Sequence, residues 1–125
     1  MLAQYQIIRG KRPPSKPLPA GLRQDTRKHT NHILRPDTEV VQCYLENPTA
    51  TAWKTFNASY LDLLEKRFKK DLSLFDKLAD QALAEDVYIG CNYPTQANPD
   101  VSHCHTVLAL TVMKKRYPKL KVQFP

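Results

Sequence analysis

The sequence predicts a single α/β domain: a short, mainly parallel sheet with a C-terminal βαβ unit and packed helices. Three observations point there. Residues 86–124 read as strand, helix and strand; the middle of the chain repeats apolar residues at three-and-four spacing; and 125 residues, 42% of them hydrophobic, suffice to bury one core. Residues 1–125 are therefore taken as one domain.

In chain order, QYQII at residues 4–8 is a short apolar run closed by Arg9-Gly10, and it reads as a first strand. The stretch from Gly10 to His32 has four prolines, two glycines and no aromatic residue, which opposes a helix or a central strand. Residues 9–32 are expected to be a basic, proline-rich loop or arm. Asp37 or Thr38 can cap a helix through Val40, Val41 and Tyr44 to about Glu46, where ENPT stops it. A stronger helix places Trp53, Phe56, Tyr60, Leu63 and Leu64 on one side and Lys54, Asp62, Glu65 and Lys66 on the other. A third begins near Asp71 and buries Leu74, Phe75, Leu78, Ala79, Ala82 and Leu83. DVYIGC, residues 86–91, has the β-branched and aromatic make-up of a strand covered on both faces. A loop with two prolines then leads to a helix from Ser102 or His103, which KKRYP ends. KLKVQF alternates, with Leu120, Val122 and Phe124 on one face, as a half-buried strand near an edge does. A right-handed crossover between the last two strands implies that they run as a parallel pair.

The formal net charge of +7 lies wholly within residues 1–36, where Arg9, Lys11, Arg12, Lys16, Arg23, Arg27, Lys28 and Arg35 face one acid, Asp25. Such a one-sided field favours anionic partners, a phosphate-bearing small molecule or nucleic acid, whose binding would weaken with salt. A basic arm that only aids solubility is the plainer alternative. No run approaches the roughly 18 apolar residues of a membrane span. The opening MLAQYQIIRGKRPP lacks the apolar stretch of a secretory signal. Three cysteines suit reduced thiols better than a disulfide framework. These features lead to the expectation of a cytoplasmic protein without a membrane partner.

The candidate chemistry gathers in DVYIGCNYPTQANPDVSHCHTVLAL, which holds Cys91, His103, Cys104 and His105. Ligands of open α/β sheets bind beyond the carboxyl ends of strands, where loops lead into helix N-termini. Three readings of the cluster stand open. Cys91 and Cys104 can be small buried hydrophobes. Alternatively, Cys104 is a nucleophile with His105 or His103 as base, or an anion is held at the helix start by Ser102, His103 and Thr106 with Arg9, Lys11 and Arg12 from the basic segment. Zinc is the third, and the spacing opposes it, because neighbours on one helical turn point about 100° apart; no metal and no cofactor are expected. Cys43 is most simply packing, and His29 and His32 can add to anion binding or be solvated. No glycine-rich phosphate loop and no Gly-x-Ser-x-Gly elbow occur.

The stretches RGKRP, LRPDTEVVQCYL, AWKTFNASYLDLL, LFDKLADQAL and DVYIGC, followed by CHTVLAL, come in an order that resembles the domain of unknown function 488 family, from about Arg9 to Leu110. The resemblance implies a compact α/β domain whose molecular function is not established, and it singles out Arg9, Trp53, Tyr60, Cys91, Cys104 and His105. Trp53, Tyr60 and Cys91 are then supporting residues. The chain departs from the family pattern at Thr106, where arginine often follows Cys-His, and at Asn92-Tyr93, where an acid is frequent. If that arginine binds an anion in relatives, this chain must supply its charge from the basic segment. The expected function is anion binding between that segment and the loop from Cys91 to His105. The alternatives are a small cysteine-dependent enzyme and a protein interaction module.

Overall fold

A computed structural model describes residues 1–96 and 98–125. Among these residues four strands form one all-parallel sheet: β1 (Leu2–Gln6), β2 (Leu22–Asp25), β3 (Val87–Cys91) and β4 (Val122–Gln123), in the spatial order β2-β3-β1-β4. Four helices accompany it: α1 (Thr38–Glu46), α2 (Ala50–Lys70), α3 (Leu72–Ala84) and α4 (His105–Arg116). The expected α/β class and packed helices are present. The last two strands run parallel but are not hydrogen-bonded neighbours, because β1 lies between them, with Leu2 opposite Val87 on one side and Val122 on the other.

β3 is central because its residues suit burial on both faces: Val87, Ile89, Gly90 and Cys91 are all buried. Gly90 is required there, since an added Cβ would meet the Tyr5 and Ile7 side chains at 2.7 Å. β1 starts two residues earlier than the apolar run suggests; Leu2 and Ala3 are buried, whereas Ile7 follows the strand and extends the pairing through its amide to the Cys91 carbonyl at 2.7 Å.

The basic segment is not a free arm. It contains β2, an edge strand paired to β3 from Leu22↔Val87 to Asp25↔Gly90. Gly21, at φ +136°, turns the chain into it in a conformation that favours glycine, with Asp86 O only 2.7 Å from where a Cβ would stand. Several of its cations are spent on backbone carbonyls: Arg12 on Gln6 and Lys16, Arg23 on Pro19, and Arg35 on His32.

Asp37 caps α1 by accepting from the Glu39 amide at 3.0 Å, and Thr49 caps α2 by accepting from the Ala52 amide at 3.1 Å. Asp71 stands at the start of α3 but makes no capping bond. α4 packs on β1, β3 and β4, while α2 bridges α1, α3 and α4. One core results, with Tyr60, Leu64, Phe75, Ile89, Leu110, Met113 and Leu120 fully enclosed. Of the expected C-terminal stripe, Leu120 is buried, Val122 is half-buried and Phe124 is exposed. The expected loop from Asn92 to Ser102 includes Ala97, which lies outside the described residues. Among the described residues, no helix is long and apolar enough to cross a membrane.

Candidate functional site

The carboxyl end of β3 delivers Cys91 to the foot of a pocket of about 130 Å³. Three further segments close it. β2 ends at Asp25 and carries Arg27, Lys28 and His29 to its rim; α1 and α2 supply Val41, Tyr44, Trp53 and Phe56; and the loop after β3, with the start of α4, adds Asn92, Tyr93, His103 and His105. The wall is mainly aromatic. Trp53 and the His103 imidazole stack at 4.7 Å and 19°, the Tyr44 ring stands edge-on to Trp53 at 5.4 Å, and the Tyr44 hydroxyl lies 2.9 Å from His103 Nδ1. His103 is held from outside as well, by Asn98 Nδ2 donating to its carbonyl at 2.8 Å, and its Nε2 lies 3.8 Å from an Asp100 carboxylate oxygen.

Arg27 is aimed rather than free. Its Nε and Nη2 donate to the Asp25 carboxylate at 2.8–3.1 Å, and its Nη1 donates to Asn92 Oδ1 at 3.1 Å. Burial alone would raise the Asp25 pKa, yet the Arg27 hydrogen bonds hold that carboxyl below its ordinary value. A second, more open cleft adjoins across Arg27, His29 and Asn92, and Gln6, Ile7, Ile8, Arg9 and Thr95 complete its lining.

Behind the pocket lie the two sulfurs, 2.9 Å apart, with the Cys104 thiol donating to Cys91. Gln4 Nε2 donates to Cys91 Sγ at 3.3 Å, and the Thr106 hydroxyl donates to Cys104 Sγ at 3.1 Å. The hydrogen bond from Cys104 outweighs burial and brings Cys91 down to about 7, while burial and the facing sulfur push Cys104 well above the usual thiol range. The same burial, with the two sulfurs beside it, raises Tyr93 to about 12.

His105 is locked in one tautomer. Thr26 Oγ1 donates to the Gly90 carbonyl at 3.0 Å, so it accepts from His105 Nε2–H at 2.9 Å, which leaves Nδ1 as a bare acceptor 3.7 Å from Cys104 Sγ. Burial lowers the His105 pKa to about 3. The imidazole is therefore neutral at pH 7.

The structure thus gathers Cys91, His103 and His105 at one opening, with Trp53 beside them. It places the other expected residues differently. Cys104 is buried as the N-cap residue of α4 and does not line the pocket, whereas Cys91, equally buried, is one of the residues that line it. Thr106 is fully buried against the sulfurs, where desolvation leaves it no anion to bind. Ser102 is occupied with the Asp100 carboxylate at 2.6 Å. Lys11 is exposed and Arg12 is turned to backbone carbonyls, away from both cavities; Arg9 lines only the adjoining cleft. Tyr60 is core: its hydroxyl donates to the Leu34 carbonyl at 2.6 Å and its ring stands edge-on to His105. Sequence reasoning missed Arg27, Lys28, Tyr44, Phe56 and Tyr93 as pocket residues. The signal for Arg27 and Lys28 lay in RKH, one residue past LRQD, but only if LRQD is read as a strand. Among the described residues no three His, Cys, Asp or Glu side chains gather as they would around a metal ion. No family model matches the chain, and no curated protein or solved structure matches it either.

Proposed function

We propose that this protein binds a phosphate-bearing small molecule with an aromatic ring, a nucleotide being the simplest example. The observation that carries this reading is the juxtaposition of an aromatic chamber (Tyr44, Trp53, Phe56, Tyr93) with a rim that holds two cations, Arg27 and Lys28, and His29 at the carboxyl end of a central parallel strand. The chamber suits a single planar ring stacked among aromatic faces. The phosphate then sits at the rim, where Arg27, already oriented by Asp25 and Asn92, offers a fixed guanidinium, and longer phosphate chains extend into the cleft with Arg9. Nucleic acid fits less well, because the chamber is a pocket of about 130 Å³ and not a long groove that a strand could follow. The resemblance to the domain of unknown function 488 family agrees with this reading through Arg9, Trp53 and Cys91, all of which line one of the two cavities.

Thermal unfolding in the presence of AMP, ATP, adenosine, inorganic phosphate and a short single-stranded oligonucleotide tests the proposal. Nucleotides should raise the melting temperature more than adenosine or phosphate alone, with the rise shrinking as salt increases from about 50 to 300 mM. Lys28→Ala should weaken binding about 5- to 10-fold, the loss of one rim charge, without altering the melting temperature of the free protein. An unchanged melting temperature across all five compounds would remove the proposal, and a response to the oligonucleotide alone would replace the ligand class.

A further inference from the structure

Two buried thiols in contact, one of them on a residue that lines the pocket, do not follow from ligand binding. We propose that Cys91 and Cys104 form a redox-active dithiol, in which Cys91 reduces a small hydroperoxide entering the pocket and Cys104 closes the resulting sulfenic acid to a disulfide.

The roles follow from position. Cys91 is one of the residues that line the pocket, and its Sγ accepts hydrogen bonds from Gln4 Nε2 and the Cys104 thiol, both of which favour a thiolate. The pKa of about 7 given by those bonds agrees with this. Cys104 stands beside it at the N-cap of α4, held by the Thr106 hydroxyl, and is not among the residues that line the pocket. At 2.9 Å the two sulfurs need less than about 1 Å of further approach to bond, which side-chain rotation at a strand end and a helix cap can supply. The oxidant class follows from access. Cys91 is only 1% exposed, at the foot of a pocket of about 130 Å³, so a protein disulfide cannot reach it, whereas hydrogen peroxide or a small organic hydroperoxide can.

The steps balance. The Cys91 thiolate attacks one peroxide oxygen; the S–O bond forms, the O–O bond breaks, and the departing hydroxide or alkoxide takes a proton and leaves as water or alcohol. Sulfur gives up two electrons and the peroxide takes them. Cys104 Sγ then attacks Cys91 Sγ, the S–S bond forms, and hydroxide leaves as water with the proton that Cys104 carried. Two molecules of a small thiol, joined to each other as a disulfide in the process, supply the two electrons and two protons that return both sulfurs to the starting state. The proposal does not depend on the nucleotide reading, since its substrate needs only the foot of the pocket.

The test treats the reduced full chain with hydrogen peroxide, blocks remaining thiols and maps the peptides. The expected product is a Cys91–Cys104 link with Cys43 still alkylatable, reversed by dithiothreitol. Cys91 should react at least about 10-fold faster than exposed Cys43, the internal reference thiol. In Cys104→Ser, dimedone should trap Cys91 as the sulfenic acid, and Cys91→Ser should end rapid peroxide consumption. Oxidation of Cys91 no faster than Cys43, or conversion of Cys91 to a sulfinic acid while Cys104 stays alkylatable, would overturn the proposal. The peptide map of the unsubstituted protein decides the matter even if a variant fails to fold.

Discussion

His32 and His105 are both held neutral, in the same Nε2–H tautomer. His32 Nδ1 accepts from the Leu34 amide at 3.1 Å, so its Nε2–H must donate to Gln24 Oε1 at 2.7 Å; His105 donates through Nε2 to Thr26 and keeps Nδ1 bare. Protonating His32 would set two N–H groups against each other. Burial accordingly lowers His32 to about 4 and His105 to about 3, against an unfolded value near 6.5. Between these values the unfolded chain binds more protons than the folded one, so stability is fully present above about pH 6.5 and falls as pH drops through the window toward 4 and 3. By pH 5 the expected loss is on the order of 1–2 kcal/mol per histidine, read from urea unfolding at pH 7.5 and pH 5.0. His32→Asn should be less stable at neutral pH but lose less between the two conditions. An equal loss in the variant would show that His32 does not carry its share of the acid sensitivity.

Helix α2 connects local capping to the pocket. Its first turn is fixed by Thr49, whose hydroxyl oxygen accepts from the Ala52 amide and whose carbonyl accepts from the Trp53 amide at 2.9 Å. Trp53 is the chain's one tryptophan, so its fluorescence reports on that turn alone. Thr49→Ala should cost about 1 kcal/mol and shift the emission to the red as the Trp53–His103 stack loosens, whereas Thr49→Asp should preserve both signals. Capping was legible only in part: Asp37 and the aromatic spacing of α2 announce two helices and DVYIGC announces the central strand, but Thr49 reads as part of a stop, and Asp71 makes no capping bond. β2 was not legible, because LRQD has no apolar alternation of its own and is a strand only through the hydrogen bonds that β3 offers it. The cost of that omission was the rim of the pocket. With residues 22–25 taken as loop, the basic segment is expected to meet the loop from Cys91 to His105 through Arg9, Lys11 and Arg12, whereas the structure brings Arg27, Lys28 and His29 to the pocket of Cys91. On the segment from Cys91 to His105 the sequence could not tell that Cys91 lines the pocket and Cys104 does not, since that depends on how distant elements pack around the strand end.

The whole sheet is assembled from distant pieces, and β1 is the piece on which the others depend. It is the first strand in the chain yet stands inside the sheet, pairing along its full length with β3 and giving β4 its hydrogen-bonded neighbour. Every strand pair is parallel and far apart in sequence, so no hairpin can form early and stabilise the rest. Leu2 is fully buried, and the Tyr5 and Ile7 side chains cover Gly90. Without β1, β3 would expose an unpaired edge in the middle of the core, β4 would have no partner, and Gln4 would no longer donate to Cys91. At the other end, Phe124 is exposed and Pro125 lies past the last strand, so little depends on them. Deleting residues 1–6 should therefore abolish cooperative unfolding and near-ultraviolet circular dichroism, and should bring Cys91 alkylation to the rate of Cys43. Deleting residues 124–125 should move the melting temperature by no more than about 2 °C, the scale of a surface change below 0.5 kcal/mol. If the longer N-terminal deletion unfolds cooperatively near the temperature of the full chain, the sheet does not close through β1, and the pocket at its carboxyl end cannot be built as described.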